Sequence, residues 1–313
     1  MRMIALALAG LLLASPAVNA RDGYGLTPRQ IAPGSWLLEG TTEDFSRANG
    51  GNIVNTGFIV TGGGVVVFDT GPSARYGAEM RAAIEAITAE PVALVIASHQ
   101  HPDHFLGNQA FPPETLAATA GTIAGIRAGG SDVAANLYRL VGDWMLGTEA
   151  VAPTRVLDTR TEEVGGHRLR ILALAGHTAS DVAVFDETTG VLWASDLVFH
   201  DRTPTTPHAD IAPWLAALEA LEALPFTVLV PGHGAPARDG GPIAQTRDYL
   251  RWLDRTLTAA AHAGLSMTEV MRLPIPERFH RMSLLREEFQ RSVVHLYPGL
   301  EKALLPAVGG SGQ

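Results

Sequence analysis

The sequence predicts one large α+β domain, with sheets covered by helices and further helices at the C-terminal end. Three observations predict it. Short β-branched runs alternate with amphipathic stretches from Asn52 onward. A hydrophobic fraction of 46% against 18% charged residues describes a chain able to bury a sizeable core. The length of 313 residues is one that sandwich and α/β architectures use largely as a single domain.

The first sheet is expected from Ile53 to Val60, a turn at Gly62-Gly63-Gly64, and Val65 to Asp69. Gly71-Pro72 breaks that strand. Tyr76, Met80, Ala83, Ile84 and Ile87 then recur at helical spacing up to Pro91, which predicts a helix lying on the sheet. Val92 to Ala97 is the next strand, and it ends at Ser98. From Gly121 to Leu146 the pattern is helical, and Gly129-Gly130 is expected to separate two helices. Strand character returns from Arg155, through Arg168 to Ala175, Val182 to Phe185 and Val191 to Ala194, giving a second sheet. Ile211 to Ala223 reads as a helix, Thr227 to Val230 as a strand, and Pro231-Gly232-His233-Gly234 as a loop. Ile243, Leu250, Leu253 and Leu257 mark a long helix, and Ser266-Met267-Thr268-Glu269 is a capping box for another.

At the N-terminus, Met1-Arg2-Met3, an apolar run from Ile4 to Leu13 and small residues at Val18-x-Ala20 before Arg21 read as a secretory signal peptide. Pro16 and Asn19 interrupt the run short of the roughly 18 to 20 apolar residues of a membrane span. The expected organisation is a signal peptide over 1–20, the main domain over 21–240, a helical extension packed on it over 241–305 and a disordered tail over 306–313. The expected location is the periplasm, with no membrane attachment after cleavage.

Composition excludes several functions. Lys plus Arg number 23 against 32 Asp plus Glu, a net charge of −9 that repels phosphate backbones, so nucleic acid is not an expected partner. Cysteine is absent, so any metal is held by His and carboxylates. The single lysine, Lys302, stands near the C-terminus.

His99-Gln100-His101-Pro102-Asp103-His104 packs three imidazoles and a carboxylate into six residues directly after a strand. In extended backbone, i and i+2 face one side. His99 and His101 therefore suit one metal, while Asp103 and His104, past Pro102, are aimed at a second. Gly176-His177-Thr178, Ser195-Asp196 and Pro231-Gly232-His233-Gly234 also sit at expected strand ends. Each is weak alone, and their joint order and context give them weight.

Together, H-x-H-x-D-H, G-H-T, S-D and P-G-H-G resemble the metal-binding series of the metallo-β-lactamase superfamily. That resemblance implies a four-layer αββα sandwich and two zinc ions. It makes His99, His101 and His177 ligands of the first ion, Asp103, His104 and His233 ligands of the second, and Asp196 the bridge. It implies that Asp69 orients a ligand histidine and gives Asp103 the catalytic task of orienting the nucleophile or taking its proton. Two neighbouring metals lower the pKa of a shared water toward about 7 and polarise the oxygen under attack. Three histidines favour zinc at the first position, whereas the carboxylate-rich second would also accept iron or manganese. His200 and His208, in the Thr/Pro-rich loop after Asp196, are candidate substrate contacts.

Absences narrow the branch. Zinc β-lactamases of the best-known class carry a cysteine ligand and an antibiotic-binding lysine, neither of which has a counterpart here. Asp196 is similar to the bridging aspartate of glyoxalase II, but that family's glutathione-binding basic residues are not evident. The chain resembles the quinoprotein relay system zinc metallohydrolases through Asn52-Ile53-Val54-Asn55-Thr56-Gly57-Phe58, His101-Pro102-Asp103-His104-Phe105-Leu106-Gly107-Asn108, Val198-Phe199-His200-Asp201-Arg202 and Thr206-Pro207-His208-Ala209-Asp210. That likeness implies a periplasmic hydrolase beside a quinoprotein dehydrogenase system, while the complete ligand series with Asp196 points to a small-molecule ester, thioester, lactone or amide as substrate. The alternatives are a β-lactamase-type hydrolase, an iron dioxygenase similar to the persulfide dioxygenases of this fold, and a non-enzymatic quinoprotein accessory.

Overall fold

Period-2 burial sorts the strands into two sheets with a core between them. In the strand Val65–Phe68, Val66 and Phe68 enter the inter-sheet core, whereas Val65 and Val67 pack with Tyr76, Met80 and Ile84 of the helix Ala74–Ile87. Val191 and Trp193 likewise face the first sheet, while Leu192 and Ala194 face Trp214, Leu218 and Leu221 of the helix Ile211–Glu222. A strand buried on both faces needs a helix layer outside each sheet. The result is the expected four-layer αββα sandwich, seen in a computed structural model that describes residues 23–304. The expected signal peptide over 1–20 and the tail over 306–313 lie outside the described residues.

The first sheet has seven strands in chain order: β1 (Arg29–Ala32), β2 (Ser35–Leu38), β3 (Thr56–Val60), β4 (Val65–Phe68), β5 (Val92–Ile96), β6 (Leu116–Ala118) and β7 (Arg155–Val156). Pairing is antiparallel from β1 to β4 and parallel from β4 to β7. The helix α1 (Ala74–Ile87) joins β4 to β5, and its N-cap Ser73 accepts the Tyr76 amide. After β5 come a short helix α2 (Pro102–Phe105) and a long helix α3 (Ala120–Val141). The second sheet has the order β12-β11-β10-β9-β8, from β8 (Arg160–Val164), β9 (His167–Leu174), β10 (Asp181–Asp186), β11 (Val191–Phe199) and β12 (Val228–His233). Only β11 and β12 pair in parallel there. The helix α4 (Ile211–Glu222) lies between them in sequence, and α5 (Gly241–His262), α6 (Met267–Val270) and α7 (Leu285–Leu304) follow. Ile243 and Leu250 of α5 enter the same core as α4, so the helices after β12 continue the outer layer.

Three expectations are corrected. Gly129-Gly130 does not divide a helix: α3 runs unbroken for 22 residues, and Gly130 instead permits close packing, because a Cβ there would stand 2.8 Å from that of Ala150. Pro231-Gly232-His233 is strand, not loop. Likewise β11 continues past Ala194 to Phe199, because parallel pairing of Ser195 with Pro231 and of Phe199 with His233 carries both strands onward. The hairpin β1–β2 is not among the expected elements; its strands, Arg-Gln-Ile-Ala and Ser-Trp-Leu-Leu, hold a single β-branched residue, Ile31.

Candidate metal centre

The HxHxDH segment leaves the C-terminal end of β5, where Ala97 and Ser98 take the chain out of the sheet. His101 is extended (φ −78°, ψ 147°) and serves as N-cap of α2, with Pro102 at its first position. This bend separates the donors. His99 and His101 gather with His177 and Asp196, whereas Asp103 and His104 gather with His233, the donor atoms of each group lying within 4.8 Å of one another. All seven residues expected as ligands are thus brought together. His101 Nδ1 lies 3.0 Å from His99 Nε2 and 2.8 Å from His177 Nε2. Asp196 joins the groups: its Oδ1 stands 3.3 Å from His104 Nε2, and its Oδ2 stands 3.3 Å from His177 Nε2 and 3.2 Å from His233 Nε2.

Asp196 reaches that place through a backbone irregularity. Ser195 adopts φ +47° inside β11, and the register against β12 shifts there. Such a bulge turns the next side chain out of simple alternation. Gly232 on β12 makes room, since a Cβ at that position would stand 1.9 Å from Asp196 Oδ1. On the other sheet Asp69, one residue past β4, takes φ +56°, a conformation that Asp tolerates better than most residues. Its Oδ1 accepts the Ser98 amide at 2.7 Å, and its Oδ2 lies 2.8 Å from both Ser98 Oγ and His104 Nδ1. Asp69 thereby fixes the His104 ring with Nε2 turned to the cluster.

Other rings are held by their far nitrogens. His233 Nδ1 donates to the Ile53 carbonyl at 2.7 Å, and His99 Nδ1 meets Ser98 Oγ at 3.1 Å. His101 Nε2 shares a 2.8 Å hydrogen bond with His208 Nδ1, so the loop residue expected near substrate is tied to a cluster histidine. His200 sits otherwise: its Nδ1 bonds the Ala235 carbonyl and its amide donates to His233 O, so it braces the end of β12. Asn55, within the Asn52 to Phe58 motif, braces the end of β12. Its Nδ2 donates to the carbonyls of Pro231 at 2.9 Å and Gly234 at 2.7 Å, bracketing His233. Asp181, not among the expected site residues, accepts the Thr178 amide and hydroxyl beside His177.

Burial and neighbouring charge set the protonation pattern. Burial, reinforced by adjoining imidazoles, holds His99 and His101 well below the usual histidine range, and burial brings His177 down to about 4. At His104 burial opposes charge, but Asp103, Asp196 and Asp69 hold it well above its usual value. Asp196 is held well below the carboxylate range by His233, His104 and His177 in spite of its burial, whereas burial raises Asp103. Burial pushes Asp181 up to about 7.

The residues present fit metal ions. His104 Nε2 and Asp196 Oδ1 are buried and face each other at 3.3 Å, yet neither makes a hydrogen bond. Three ring nitrogens crowd one point, which favours a cation among them over three competing lone pairs. Imidazole with carboxylate, without thiolate, is a donor set for zinc, iron or manganese.

The family model described as the metallo-beta-lactamase superfamily matches residues 49–233, a span that contains every one of these donors. The chain belongs to that superfamily. Among curated relatives it is 23% identical over 288 residues to a linear primary-alkylsulfatase of Pseudomonas sp. (strain ATCC 19151), covering 75% of this chain and 53% of that protein. The chain therefore spans about half the length of the curated relative it matches. Among solved structures, a metallo-beta-lactamase from Pontibacter korlensis shares the fold with TM-score 0.57 at 22% identity, over 72% of this chain and 99% of its own. The stereoselective inverting sec-alkylsulfatase Pisa1 from Pseudomonas sp. shares it with TM-score 0.65 at 19% identity, over 90% of this chain and 52% of its own.

In this superfamily member a cavity of about 320 Å³ opens onto the cluster. His101, Asp103, Asp196, His208 and His233 stand in its wall beside Phe45, Ile53 and Leu137, with Arg202 and Arg291 also present. His200 is not among the lining residues.

Proposed function

We propose that the chain is a di-zinc hydrolase of small molecules carrying an ester, thioester, lactone or amide bond. The observation that carries this reading is Asp196, whose two oxygens stand within 3.3 Å of nitrogens from both donor groups. His99, His101 and His177 would hold one ion, Asp103, His104 and His233 the other, and Asp196 both. Bound there, the ions supply Lewis acidity, lowering the pKa of water toward about 7 and polarising the carbonyl under attack. The chain's own groups do the rest. Asp103 Oδ2, 3.6 Å from both His104 Nε2 and His233 Nε2 and open to the cavity, is placed to accept a proton from the attacking water and pass it toward the leaving group. Asp69 and the Ile53 carbonyl keep the His104 and His233 rings from turning. Ile53, Phe45 and Leu137 shield one side of the cavity from water and favour an apolar substrate body.

A sulfate ester is the second bond class to be tried. The sec-alkylsulfatase likeness covers 90% of the chain, a share that must reach into the helices after β12, whereas the lactamase likeness covers 72%. We also propose export to the periplasm and association with a quinoprotein dehydrogenase system, supported by the apolar run after Met3 and by the sequence motifs around His104 and His208.

Elemental analysis of the chain purified without added metal is expected to give about two zinc ions per chain, with His101→Ala losing both metal and turnover of ester and thioester substrates. One iron per chain with oxygen consumption would replace the hydrolase by a dioxygenase. Cell fractionation and co-purification test location and partner.

A further inference from the structure

The cluster histidines are held in two ways. At the nitrogen turned away from the cluster, His104, His233, His99 and His101 meet Asp69, the Ile53 carbonyl, Ser98 and His208 respectively. His177 has no such polar brace. Its Nε2 faces His101 Nδ1 at 2.8 Å and Asp196 Oδ2 at 3.3 Å, which leaves Nδ1 on the far side, buried and without a hydrogen bond among the described residues. A neutral imidazole that gives Nε2 to a cation carries its proton on Nδ1, and a buried N–H that nothing receives is costly. The rings that pack on His177 from outside the cluster are those of Trp214 and Phe199. Trp214 is the nearer and the steeper, with centroids 5.3 Å apart and planes at 72°, against 5.9 Å and 53° for Phe199. An edge-to-face pair of this kind can turn a ring N–H toward a π face.

Trp214 is itself immobile. It is fully buried, and its Nε1 donates to the Leu197 carbonyl at 2.9 Å, which fixes the indole. Its backbone lies against the turn that carries His177. The Trp214 amide donates to Asp210 O, the Asp210 amide donates to Gly176 O at 2.9 Å, and a Cβ on Gly176 would stand 2.6 Å from that of Trp214. The first turn of α4 and the Gly176-His177 turn are thus one packed unit. We propose that Trp214 is the positioning residue of His177, its indole face receiving the Nδ1–H of the metal-bound ring where the other four histidines meet a polar atom. The inference rests on the metal-binding part of the reading above and not on the reaction.

Proton–nitrogen NMR of the full chain, labelled with 15N in histidine and loaded with zinc, tests it without a variant. The His177 ring proton should sit on Nδ1, show a through-space contact to the indole protons of Trp214, and resonate upfield of the hydrogen-bonded ring protons of His104 and His233. A proton on Nε2, or one downfield with the others, overturns the proposal. Chelator competition gives the second readout. Trp214→Leu should lower zinc affinity by about tenfold or more, and Trp214→Phe, which keeps a π face, should return to within about threefold of the parent. Leu221→Ala, about two turns further along α4 and equally buried, should lower the melting temperature and leave zinc affinity unchanged. Equal losses in Trp214→Leu and Trp214→Phe, or a loss in Leu221→Ala matching that in Trp214→Leu, would reduce Trp214 to general packing and overturn the proposal. A parent chain that binds no zinc removes the metal reading and this inference together, whereas zinc binding with a displaced His177 proton removes this inference alone.

Discussion

The two sheets contribute to one centre by different means. From the first sheet come His99, His101, Asp103 and His104, delivered by a single segment after β5 and locked by one carboxylate, Asp69, on the neighbouring strand. From the second come His177 in the turn between β9 and β10, Asp196 on β11 and His233 at the end of β12, 19 and 37 positions apart in the sequence. The first half is a local motif with a local brace. The second depends on strand register, on the positive φ of Ser195 and on the missing side chain of Gly232. A site divided in this way should tolerate damage to a brace better than damage to register.

The sharpest way to break the comparison is Gly232→Ala. Its methyl group would meet Asp196 Oδ1 at 1.9 Å and the Asp196 backbone nitrogen at 2.7 Å, and both belong to a paired strand that has little room to move. Overpacking of this kind costs about 1–3 kcal/mol. Because Asp196 faces both donor groups, affinity for added metal should fall by about 100-fold, read by competition with a chelator. Gly129→Ala in α3, where no atom lies within 4 Å of the added methyl, is the control. It should raise stability by about 0.5–1 kcal/mol and leave metal binding untouched. Equal metal binding in the two variants would contradict the role given to register.

Asp69→Ala examines the first half. It removes the acceptor that holds His104 Nδ1 and strips the Ser98 amide of its partner. Losing an outer hydrogen bond of this type lowers metal affinity by about 10–100-fold. On the di-metal reading proposed above, the loss should fall mainly on the group formed by Asp103, His104 and His233, so that one ion per chain dissociates at a chelator concentration that leaves the other in place. Simultaneous release of both would mean that Asp69 supports the whole centre.

The same division explains what was legible in the sequence. Alternating β-branched runs and helical spacing gave the two sheets and their covering helices, because each strand is buried on two faces and each helix on one. The HxHxDH segment stood out because donors so close in sequence must be close in space. His177, Asp196 and His233 needed the family resemblance to be joined to it, since their approach depends on parallel pairing of β11 with β12, which periodicity does not report. The extent of β12 past Pro231 and the unbroken α3 were misread for a related reason: Pro and Gly are local breakers whose effect tertiary packing overrode. Asn55 lies in one of the family-like motifs, yet its role could not be read there, because its partners stand 176 and 179 residues away.

His208 crosses the division, and its removal should have the smallest effect. It belongs to the segment after β11, yet its Nδ1 shares a 2.8 Å hydrogen bond with His101 Nε2 from the HxHxDH segment. His208 is exposed, so water can replace its ring when it is lost. His208→Ala should therefore weaken metal binding by the His99, His101 and His177 group by less than about tenfold, and His208→Gln, which can still reach the ring nitrogen, should recover most of that loss. Should His208→Ala instead leave metal affinity unchanged and raise only the KM for substrate, the ring acts on the ligand in the cavity, and the two halves of the centre are joined by Asp196 alone.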